Sequence, residues 1–389
     1  MAAITSPLRV LHVYSGNLYG GIETFLRALA EERNKCPDMA PEFALCFEGR
    51  IADELRASGA PLYMLGAVRL SRPWTVLRAR RALAKVLRER RPDVVVCHAA
   101  WPYAIFSSVV RGTKTRLVFY RHDIGSERDW MNMLAGRITP DLVIANSNYT
   151  ARTGHPRFAA TYHRTVFYVI KPSHFSKVEA RAAVRTALRA EAEDVVILQA
   201  SRMQSWKGQA LLIDALALLP RHLAWKCWFA GDAQRAFEKA YVDELKDSVA
   251  RHNLTDRVSF LGQRDDVAAL MNGADIFCQP NPVPEPFGIV FVEALSAGLP
   301  VVTTTVAGGA LEILDPTCSG VSAPSAAEIA RTLETIIAAT TTRAGLSTGA
   351  RLRATAFTDS ALRLSELAGV LRIETLVFGR VHEQAREAV

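Results

Sequence analysis

Short apolar segments alternate with longer helical patterns along most of the chain. The first, Arg9–Ser15 (RVLHVYS), is typical of a buried strand, and a helical pattern begins near Glu23 after a glycine turn. Strands that alternate with helices indicate parallel sheets covered on both faces. The other predicted strands form two series: Phe43–Phe47, Leu62–Leu65, Val94–Cys97, Leu117–Tyr120, Leu142–Ala145 and Val166–Ile170, then Val195–Ala200, Lys226–Ala230, Val258–Leu261, Ile276–Gln279 and Val301–Thr304.

Two successive series of this kind predict an α/β protein with two Rossmann-like, doubly wound parallel-sheet domains. The length of 389 residues agrees, because a single core rarely grows past roughly 250 residues. The boundary is expected between Lys171 and Asp194, where a proline is followed by a charged, alanine-rich helix. We therefore predict an amino-terminal domain over residues 1–171, a carboxyl-terminal domain over 172–373 and a polar tail over 374–389.

The composition places the chain among ordinary globular proteins, with 49% hydrophobic and 22% charged residues. No stretch approaches the roughly 20 apolar residues that span a bilayer, and the first residues lack the basic segment of a signal peptide. The six cysteines form no CxxC pair, which favours reduced thiols over a disulfide or zinc framework. We therefore expect a cytoplasmic protein.

Positive charge is concentrated in the first domain. Residues 1–171 contain 25 lysines and arginines against 14 acids, a net charge of +11, whereas residues 172–389 have a net charge of −3. Nine of these basic residues lie between Arg69 and Arg91, interleaved with Trp74 and aliphatic residues at helical spacing. A solvated helix face and a docking surface for an anionic membrane or a phosphate-bearing acceptor both fit this pattern. A nucleic-acid partner is not expected, because no recognisable DNA or RNA module accompanies the charge.

Ligands of open parallel sheets bind beyond the carboxyl ends of the strands, so polar residues directly after strands are the candidates for chemistry. The first such segment runs from Gly16 to Glu23 and contains the pair Gly20 and Gly21 at the opening of a helix. Adjacent glycines there let a backbone with unpaired N–H groups approach an anion. A tight turn that only needs the dihedral freedom of glycine is an equally good interpretation.

Two histidines follow strands of the same domain. His98 comes after VVVC, and His122 lies in the segment Tyr120–Asp123 after LVFY, beside Arg121. An isolated histidine is more often structural than catalytic, so both roles stay open. The nine histidines show no metal-binding spacing, so we predict no metal site.

Two cations follow the first strand of the second series. Arg202 and Lys207 lie in SRMQSWKG, directly after VVILQA. The planar guanidinium supplies a fork of donors and the lysine a mobile point charge, a combination that suits a diphosphate. Solvated loop cations are the alternative.

The segment Glu285–Leu295 (EPFGIVFVEAL) carries the strongest signal. Pro286 and Gly288 fit a helix entrance, whose N–H groups and partial positive charge favour an anion. Glu285 precedes the helix and Glu293 lies inside it, so the two carboxylates are separated by a rise of roughly 8–9 Å. That span suits one carboxylate for sugar hydroxyls and the other for ribose hydroxyls on either side of a diphosphate. Glu293 as a surface residue of the helix is the alternative.

Taken together, these segments resemble the retaining GT-B glycosyltransferases of family 4, the group 1 enzymes. The resemblance covers about residues 8–372. The matching segments are GGIE (20–23), RPDVVVCH (91–98), DLVIANSNYTAR (141–152), SRMQSWKG (201–208), EPFGIVFVE (285–293), AGLPVV (297–302) and AGGALEIL (307–314). The resemblance implies two domains facing across a cleft, and transfer of a hexose-type sugar from a UDP- or GDP-linked donor with retention of the anomeric configuration.

The resemblance also implies roles for residues of the second domain. Arg202 and Lys207 would bind the donor diphosphate and stabilise charge on the departing nucleotide. Glu285 would contact the transferred sugar and Glu293 the ribose. Backbone groups near the phosphate and the sugar would come from Phe287, Gly288 and Ile289.

In the first domain, the resemblance implies that Gly20 and Gly21 approach the donor and that His122 lies near its anomeric carbon. His98, with Arg121 and Asp123, would be on the acceptor side. The acceptor would be a hydroxyl of a glycan or lipid-linked saccharide, as in cell-surface polysaccharide assembly. No cofactor is expected, and the absence of a DxD motif agrees with a metal-independent reaction.

Two other functions remain compatible with the sequence. A nucleotide-sugar epimerase of GT-B type would use acid–base residues such as His98, His122 or Asp123. A non-enzymatic protein would dock on the inner face of the membrane through Arg69–Arg91 and retain only a vestigial nucleotide site.

Overall fold

The computed structural model describes residues 6–17, 19–124, 130–154, 158–159, 161–171, 178–233 and 235–372. These residues form two units. One contains the described residues up to Lys171 together with residues 359–372, and the other contains residues 178–358. The predicted second domain ran to residue 373, so the return of residues 359–372 to the first unit differs from the prediction. The start of the predicted linker, residues 172–177, and the predicted tail, residues 374–389, lie outside the described residues.

The first unit is built on a seven-stranded sheet with the order β3-β2-β1-β4-β5-β6-β7, in which every pair is parallel. The strands are β1 (Leu8–Tyr14), β2 (Met39–Leu45), β3 (Leu62–Met64), β4 (Val94–His98), β5 (Arg116–Arg121), β6 (Leu142–Ala145) and β7 (His163–Thr165). The chain extends the sheet in one direction from β1 to β3 and then crosses to β4. The topological switch point therefore lies between β1 and β4, where doubly wound sheets bind ligands.

Helices cover this sheet: α1 (Gly21–Glu31), α2 (Arg50–Ala57), α3 (Pro73–Arg90), α4 (Ala100–Arg111), α5 (Trp130–Ala135) and α6 (Asn148–Arg152). In the long helix α3, Thr75, Ala79, Leu83 and Leu87 are buried. Their spacing of four places them on one face of the helix, so the other faces carry the basic residues. The helix starts with a proline at its first position, where the missing N–H costs nothing.

The second unit contains a six-stranded parallel sheet with the order β10-β9-β8-β11-β12-β13. Its strands are β8 (Val195–Ala200), β9 (Trp225–Ala230), β10 (Val258–Phe260), β11 (Ile276–Cys278), β12 (Val301–Thr304) and β13 (Ser319–Ser322). The helices are α7 (Val178–Ala187), α8 (Gln209–Ala217), α9 (Ala236–Arg251), α10 (Val267–Gly273), α11 (Ile289–Ser296), α12 (Ala326–Ala338) and α13 (Thr340–Thr358). Its switch point lies between β8 and β11. The predicted α/β class with two Rossmann-like parallel sheets is confirmed.

A final helix, α14 (residues 360–372), packs on the first unit. Its Leu364 and Leu367 are buried, and the carbonyl of Leu371 accepts a hydrogen bond of 2.9 Å from Arg116. The hydroxyl of Ser360 donates to a Glu32 carboxylate oxygen at 2.7 Å. Among the described residues, no helix is long and apolar enough to cross a membrane.

Two strand predictions differ from the structure. The apolar run Val166–Ile170 was predicted as a strand, but the strand is the polar segment His163–Thr165 just before it. Four of the five residues of the run are buried without joining a ladder, so burial alone did not indicate a strand. The edge strand Ser319–Ser322 was not predicted, because two serines and a glycine carry little strand signal.

Candidate active site

Lys207 follows β8 at the carboxyl edge of the second sheet. After β8 the chain forms a 3-10 turn over Ser205–Lys207, and Gln199 near the end of the strand donates a 2.8 Å hydrogen bond to the carbonyl of Lys207. The next residue, Gly208, has φ +82°, and a Cβ there would lie 2.1 Å from the carbonyl oxygen of Pro280. Only glycine allows this turn, which fixes where the lysine side chain starts.

Lys207 and Glu285 form a nearly buried ion pair. The Lys207 Nζ donates to Glu285 Oε2 at 2.5 Å, and the two side chains are 13% and 8% exposed. The same ammonium lies 3.9 Å from the centroid of the Trp206 ring, a cation–π contact. Removal of either partner would leave the other charge buried without its counterion, which strongly destabilises the folded protein. The structure therefore brings together a predicted phosphate ligand and a predicted sugar ligand.

Two amides that were not predicted from the sequence also contact the carboxylate. Gln279 Nε2 and Asn281 Nδ2 lie 3.4 and 3.5 Å from Glu285 Oε2, and both side chains are fully buried. Both residues follow β11 directly. They could therefore have been predicted from the sequence, because polar residues directly after strands are candidates for a binding site. The lysine and both amides all contact Oε2. Within the described part of the chain, Oε1 of Glu285 accepts no hydrogen bond.

The backbone of Glu285 is fixed by a neighbouring glycine-rich segment. Its N–H donates to the carbonyl of Ala307 at 3.1 Å, and its carbonyl accepts from Gly309 at 2.8 Å. Between them, Gly308 has φ +62°, and a Cβ on it would lie 2.7 Å from the Cβ of Pro284. The segment that matches AGGALEIL therefore holds the glutamate in place.

The entrance of α11 lies directly after this carboxylate. The helix begins at Ile289 and is preceded by Gly288 with φ +91°, where a Cβ would lie 2.5 Å from the Phe291 ring. Phe287 and Ile289 are buried, so the predicted ligand contacts at these positions would have to come from backbone groups. Glu293 lies just over a turn inside the helix and is half-buried.

Arg202 is partly exposed at the same edge of the sheet. Within the described residues its guanidinium forms no hydrogen bond or ion pair, whereas its carbonyl accepts from Gln209 Nε2 at 2.9 Å. The backbone before Arg202 passes very close to Gly231, which follows β9. Only glycine allows this approach, because a Cβ at position 231 would lie 1.9 Å from the Ser201 carbonyl oxygen. Arg202 thus retains its full set of donors for an anion.

In the first unit, the glycine pair opens α1. Gly21 is the first helical residue, and Gly20 is extended with φ −173° and accepts hydrogen bonds from Thr24. Neither needs the left-handed region, which Gly16 does occupy at φ +84°. Dihedral freedom therefore explains Gly16 but not Gly20 or Gly21.

The structure brings both candidate histidines into one hydrogen-bonded chain with two residues that were not predicted from the sequence. His12 Nδ1 lies 2.9 Å from His98 Nε2, and His98 Nδ1 lies 2.9 Å from His122 Nε2. His122 Nδ1 in turn lies 2.7 Å from the hydroxyl of Tyr168. We call these four residues the histidine chain. Both ring nitrogens of His122 are therefore engaged inside the unit.

All three imidazoles are buried and uncharged at neutral pH. Burial lowers the pKa of His12 and of His122 to about 3. Burial lowers the pKa of His98 well below its usual value, and the other two rings lower it further. No cationic histidine is therefore present among these three rings at this edge of the sheet.

Arg121 supports a helix end. It is buried and donates to the carbonyls of Thr150 and Thr153 at 3.0 Å each, which lie at the carboxyl end of α6. Burial lowers its pKa, while the charge of Asp123 raises it. Asp123 is half-buried beside it. Among the described residues, no group of three or more His, Cys, Asp or Glu is arranged to hold a metal ion.

Two family models match the chain. The model of Glycosyltransferase Family 4 matches residues 19–166, and that of glycosyl transferases group 1 matches residues 181–353. The lipopolysaccharide core mannosyltransferase LpsB of Rhizobium meliloti is 29% identical over 194 residues, 50% of this chain and 53% of that protein. The lipopolysaccharide glucosyltransferase WaaG of Escherichia coli is 37% identical over 131 residues, 33% of each chain. The matches span about half or less of the length of these relatives.

Solved structures match over nearly the whole chain. Anabaena HepE in complex with UDP-glucose has a TM-score of 0.81 and 26% identity, and the match covers 93% of this chain and 99% of that one. The WaaG structure has a TM-score of 0.69 at 20% identity, again over 93% and 99% of the two chains. With both halves matched by their family models, this chain belongs to the group 1 glycosyltransferases of family 4, which have the GT-B fold.

Proposed function

We propose that the protein is a metal-independent, retaining glycosyltransferase. It transfers a hexose-type sugar from a UDP- or GDP-linked donor to a hydroxyl of a glycan or lipid-linked saccharide. The observation that carries this proposal is the buried pair of Lys207 and Glu285, with one carboxylate oxygen left to accept hydrogen bonds. The similarity to HepE, which was solved with UDP-glucose, supports a UDP-linked donor. The similarities to LpsB and WaaG support a lipopolysaccharide-type acceptor.

The second unit supplies the groups that such a reaction needs. Arg202 offers a planar fork to the diphosphate, and Lys207 adds a point charge where negative charge develops on the departing nucleotide. Oε2 of Glu285 is engaged by the lysine and two amides, so the sugar hydroxyls donate to Oε1. Glu293, half-buried inside α11, is the proposed acceptor for the ribose hydroxyls, and the backbone at Phe287–Ile289 is the proposed contact for the phosphates.

The proposed transfer is a substitution on one face of the sugar. The bond between the anomeric carbon and the diphosphate oxygen breaks, and the electron pair leaves with the nucleotide. The acceptor oxygen bonds to the same face, and its proton passes to an oxygen of the departing diphosphate. In the first unit, Gly20 and Gly21 are the proposed donor contacts, with Arg121 and Asp123 on the acceptor side. His122 and His98 keep their proposed places on the donor and acceptor sides, but their ring nitrogens are engaged within the unit, so neither offers a free ring nitrogen to a ligand. No cofactor takes part.

Alanine substitution tests the ion pair. Lys207→Ala and Glu285→Ala should each lower the rate of transfer at least ~100-fold, the scale for one charged transition-state contact. Lys226→Ala is the matched control, because Lys226 also lies in the second unit, but among the described residues its ammonium bonds only the Asp256 carbonyl. Wild-type turnover in both site variants would show that the proposed site is wrong.

Two further measurements separate the remaining alternatives. The anomeric configuration of the product, read by NMR, should equal that of the donor, and EDTA should leave the rate unchanged. Donor incubated without acceptor should yield no epimer, since an epimer without a glycoside is the result expected for an epimerase. Calorimetric titration with UDP, GDP and ADP would then identify the base.

We also propose that α3 docks the enzyme on the inner face of an anionic membrane. Trp74 is 67% exposed and Leu77 48% exposed on the face that also presents Arg81 and Arg88. Neither arginine forms an ion pair with another described residue, so both remain available to lipid phosphates. The apolar pair would enter the interface while the cations contact the headgroups.

Sedimentation with vesicles tests this surface. Wild-type protein should sediment with phosphatidylglycerol vesicles and not with phosphatidylcholine vesicles, and Trp74→Ser should weaken the sedimentation. Leu352→Ser is the control, because Leu352 is at least as exposed, at 74%, but lies on α13. Equal weakening by both substitutions, or no sedimentation of the wild type, would refute docking through α3.

A further inference from the structure

A cavity of about 640 Å³ lies in the second unit, at the edge of the sheet opposite the candidate active site. Its wall includes Asp275 and Leu299, which come just before β11 and β12, whereas Lys207 and Glu285 come after β8 and β11. The helices α7, α10 and α13 and the end of α11 supply the rest of the wall. A cavity of this volume is in the range of small-molecule sites. It is therefore a second candidate site, separate from the one proposed for sugar transfer.

The wall of the cavity is positively charged. Among the described residues, it contains three arginines, Arg181, Arg343 and Arg351, against one acid, Asp275, which gives a net charge of +2. Both carboxylate oxygens of this acid are already engaged, Oδ1 by Arg181 at 2.6 Å and Oδ2 by Arg185 at 3.0 Å. The predicted second domain and its tail together have a net charge of −3, so the positive charge is particular to this place. An anion is therefore the kind of ligand that the cavity favours.

Two of the three arginines support helix ends. Arg181 donates to two backbone carbonyls at the end of α10, at 2.9 and 2.7 Å. Arg343 donates to two backbone carbonyls in the last turn of α12, at 2.9 and 3.0 Å. Cations at these positions satisfy carbonyls that have no partner inside the helix. The folded structure therefore accounts for both residues and fixes their charges at the wall.

Arg351 has no such partner. Its side chain is exposed, and within the part of the chain that the structure describes its guanidinium forms no hydrogen bond or ion pair. The guanidinium lies against Gly298, where an added Cβ would overlap it. Ser347, one turn earlier on α13, donates to the carbonyl of the same glycine at 2.6 Å and so holds the helix beside it. The donors of Arg351 are therefore kept at the wall of the cavity without a protein acceptor.

We propose that this cavity binds a small phosphate monoester, with Arg351 as its principal contact. Such a group carries close to two negative charges at neutral pH, which match the net charge of the wall. The planar guanidinium can bind two phosphate oxygens side by side. The wall is apolar at Met271, Ala297 and Leu299, which suits the carbon skeleton of a molecule the size of a sugar phosphate. The proposal goes beyond sugar transfer and does not depend on it.

Calorimetric titration of the full chain tests the proposal, with glucose 6-phosphate as the probe and glucose as its uncharged counterpart. Wild-type protein should bind the phosphate and not glucose. Arg351→Gln should weaken binding at least about tenfold, the scale of a lost charge-assisted hydrogen bond. Arg351→Lys keeps the charge without the planar fork, so its affinity should lie between the two.

Arg221→Gln is the matched control. Arg221 is another exposed arginine of the second unit whose side chain has no partner among the described residues, but it does not line the cavity. Its substitution removes the same charge from the same unit. The affinity for glucose 6-phosphate should therefore stay at the wild-type value.

Hydrogen exchange followed by mass spectrometry locates the bound phosphate without any variant. Glucose 6-phosphate should slow exchange in peptides that cover residues 296–300 and 340–351. Peptides that cover residues 201–208 and 285–293 should be unchanged. Protection confined to these last two segments would place the phosphate in the candidate active site and overturn the proposal.

Three titration results would also overturn it. They are no binding of glucose 6-phosphate by the wild type at millimolar concentration, equal binding of glucose, and the same affinity in Arg351→Gln as in Arg221→Gln. None of these measurements requires turnover of a nucleotide sugar. Failure of this proposal is therefore distinguishable from failure of the proposed function, which the Lys207 and Glu285 variants test.

Discussion

Acidification should unfold the first unit before the second. Burial holds the pKa of His12 and of His122 at about 3, whereas a histidine in the unfolded chain titrates near 6.5. The unfolded chain therefore binds more protons below pH 6.5. The stability that comes from keeping these rings neutral is fully present above pH 6.5 and is lost as the pH falls towards 3.

The size of the loss follows from the same values. Between pH 7 and pH 5, each of the two rings should lower the free energy of unfolding by about 2 kcal/mol, about 4 kcal/mol together. The pKa of His98 is also lowered by burial, so its contribution has the same sign. A domain is commonly stable by about 5–15 kcal/mol, so this loss is a large fraction of the total.

Hydrogen exchange followed by mass spectrometry measures the two units separately. Exchange rates are first corrected for the intrinsic effect of pH. In peptides of β1 and β4, the free energy of the opening that exposes the amides should then fall by about 4 kcal/mol or more between pH 7 and pH 5. Peptides of β8 and β9 provide the internal reference, because the described histidines of that unit, His222 and His252, are exposed.

A variant isolates one ring. His12→Gln keeps a polar side chain but removes a titrating group, so the loss measured in β1 and β4 should shrink by about 2 kcal/mol. An equal loss in both sheets of the wild type, or a first unit that loses less than about 1 kcal/mol, would refute the reasoning.

Four further substitutions follow from the contacts of the described residues. In α13, Gly349→Ala should lower the melting temperature, because its Cβ would lie 1.9 Å from a carbonyl oxygen, whereas Gly345→Ala meets nothing within 4 Å and should stabilise by up to about 1 kcal/mol. Arg121→Met should speed amide exchange in α6, since its last carbonyls lose their donor. Gln279→Leu should lower kcat about tenfold, because an amide contact to Glu285 disappears, and should also lower the melting temperature, because buried Asn281 Oδ1 loses its donor at 2.9 Å; an unchanged kcat would assign Gln279 to packing alone.

The sequence was most informative where chemistry follows a strand. Arg202, Lys207 and Glu285 were predicted from their positions after strands and at a helix entrance, and the structure places Lys207 and Glu285 in direct contact. Strands were predictable where both faces are buried, as in β4 and β8. The polar edge strand Ser319–Ser322 was not predictable, because it is a strand through its pairing with β12 and not through its composition.

Tertiary contacts account for what the sequence could not show. His12 lies inside an apolar run, so its pattern is that of a core strand, and its partner His98 is 86 residues away. Tyr168 lies in a segment that resembled a strand, and its hydroxyl instead forms a hydrogen bond with His122 Nδ1 at 2.7 Å. Neither local periodicity nor residue type predicts a bond between such distant positions.

The return of α14 to the first unit has a consequence for biosynthesis. The ribosome must make the 187 residues from 172 to 358 before this helix emerges, which takes roughly 10–40 s at about 5–20 residues per second. During that interval the surface that will bury Leu364 and Leu367 faces water. The first unit therefore cannot complete its packing until the whole second unit has been synthesised.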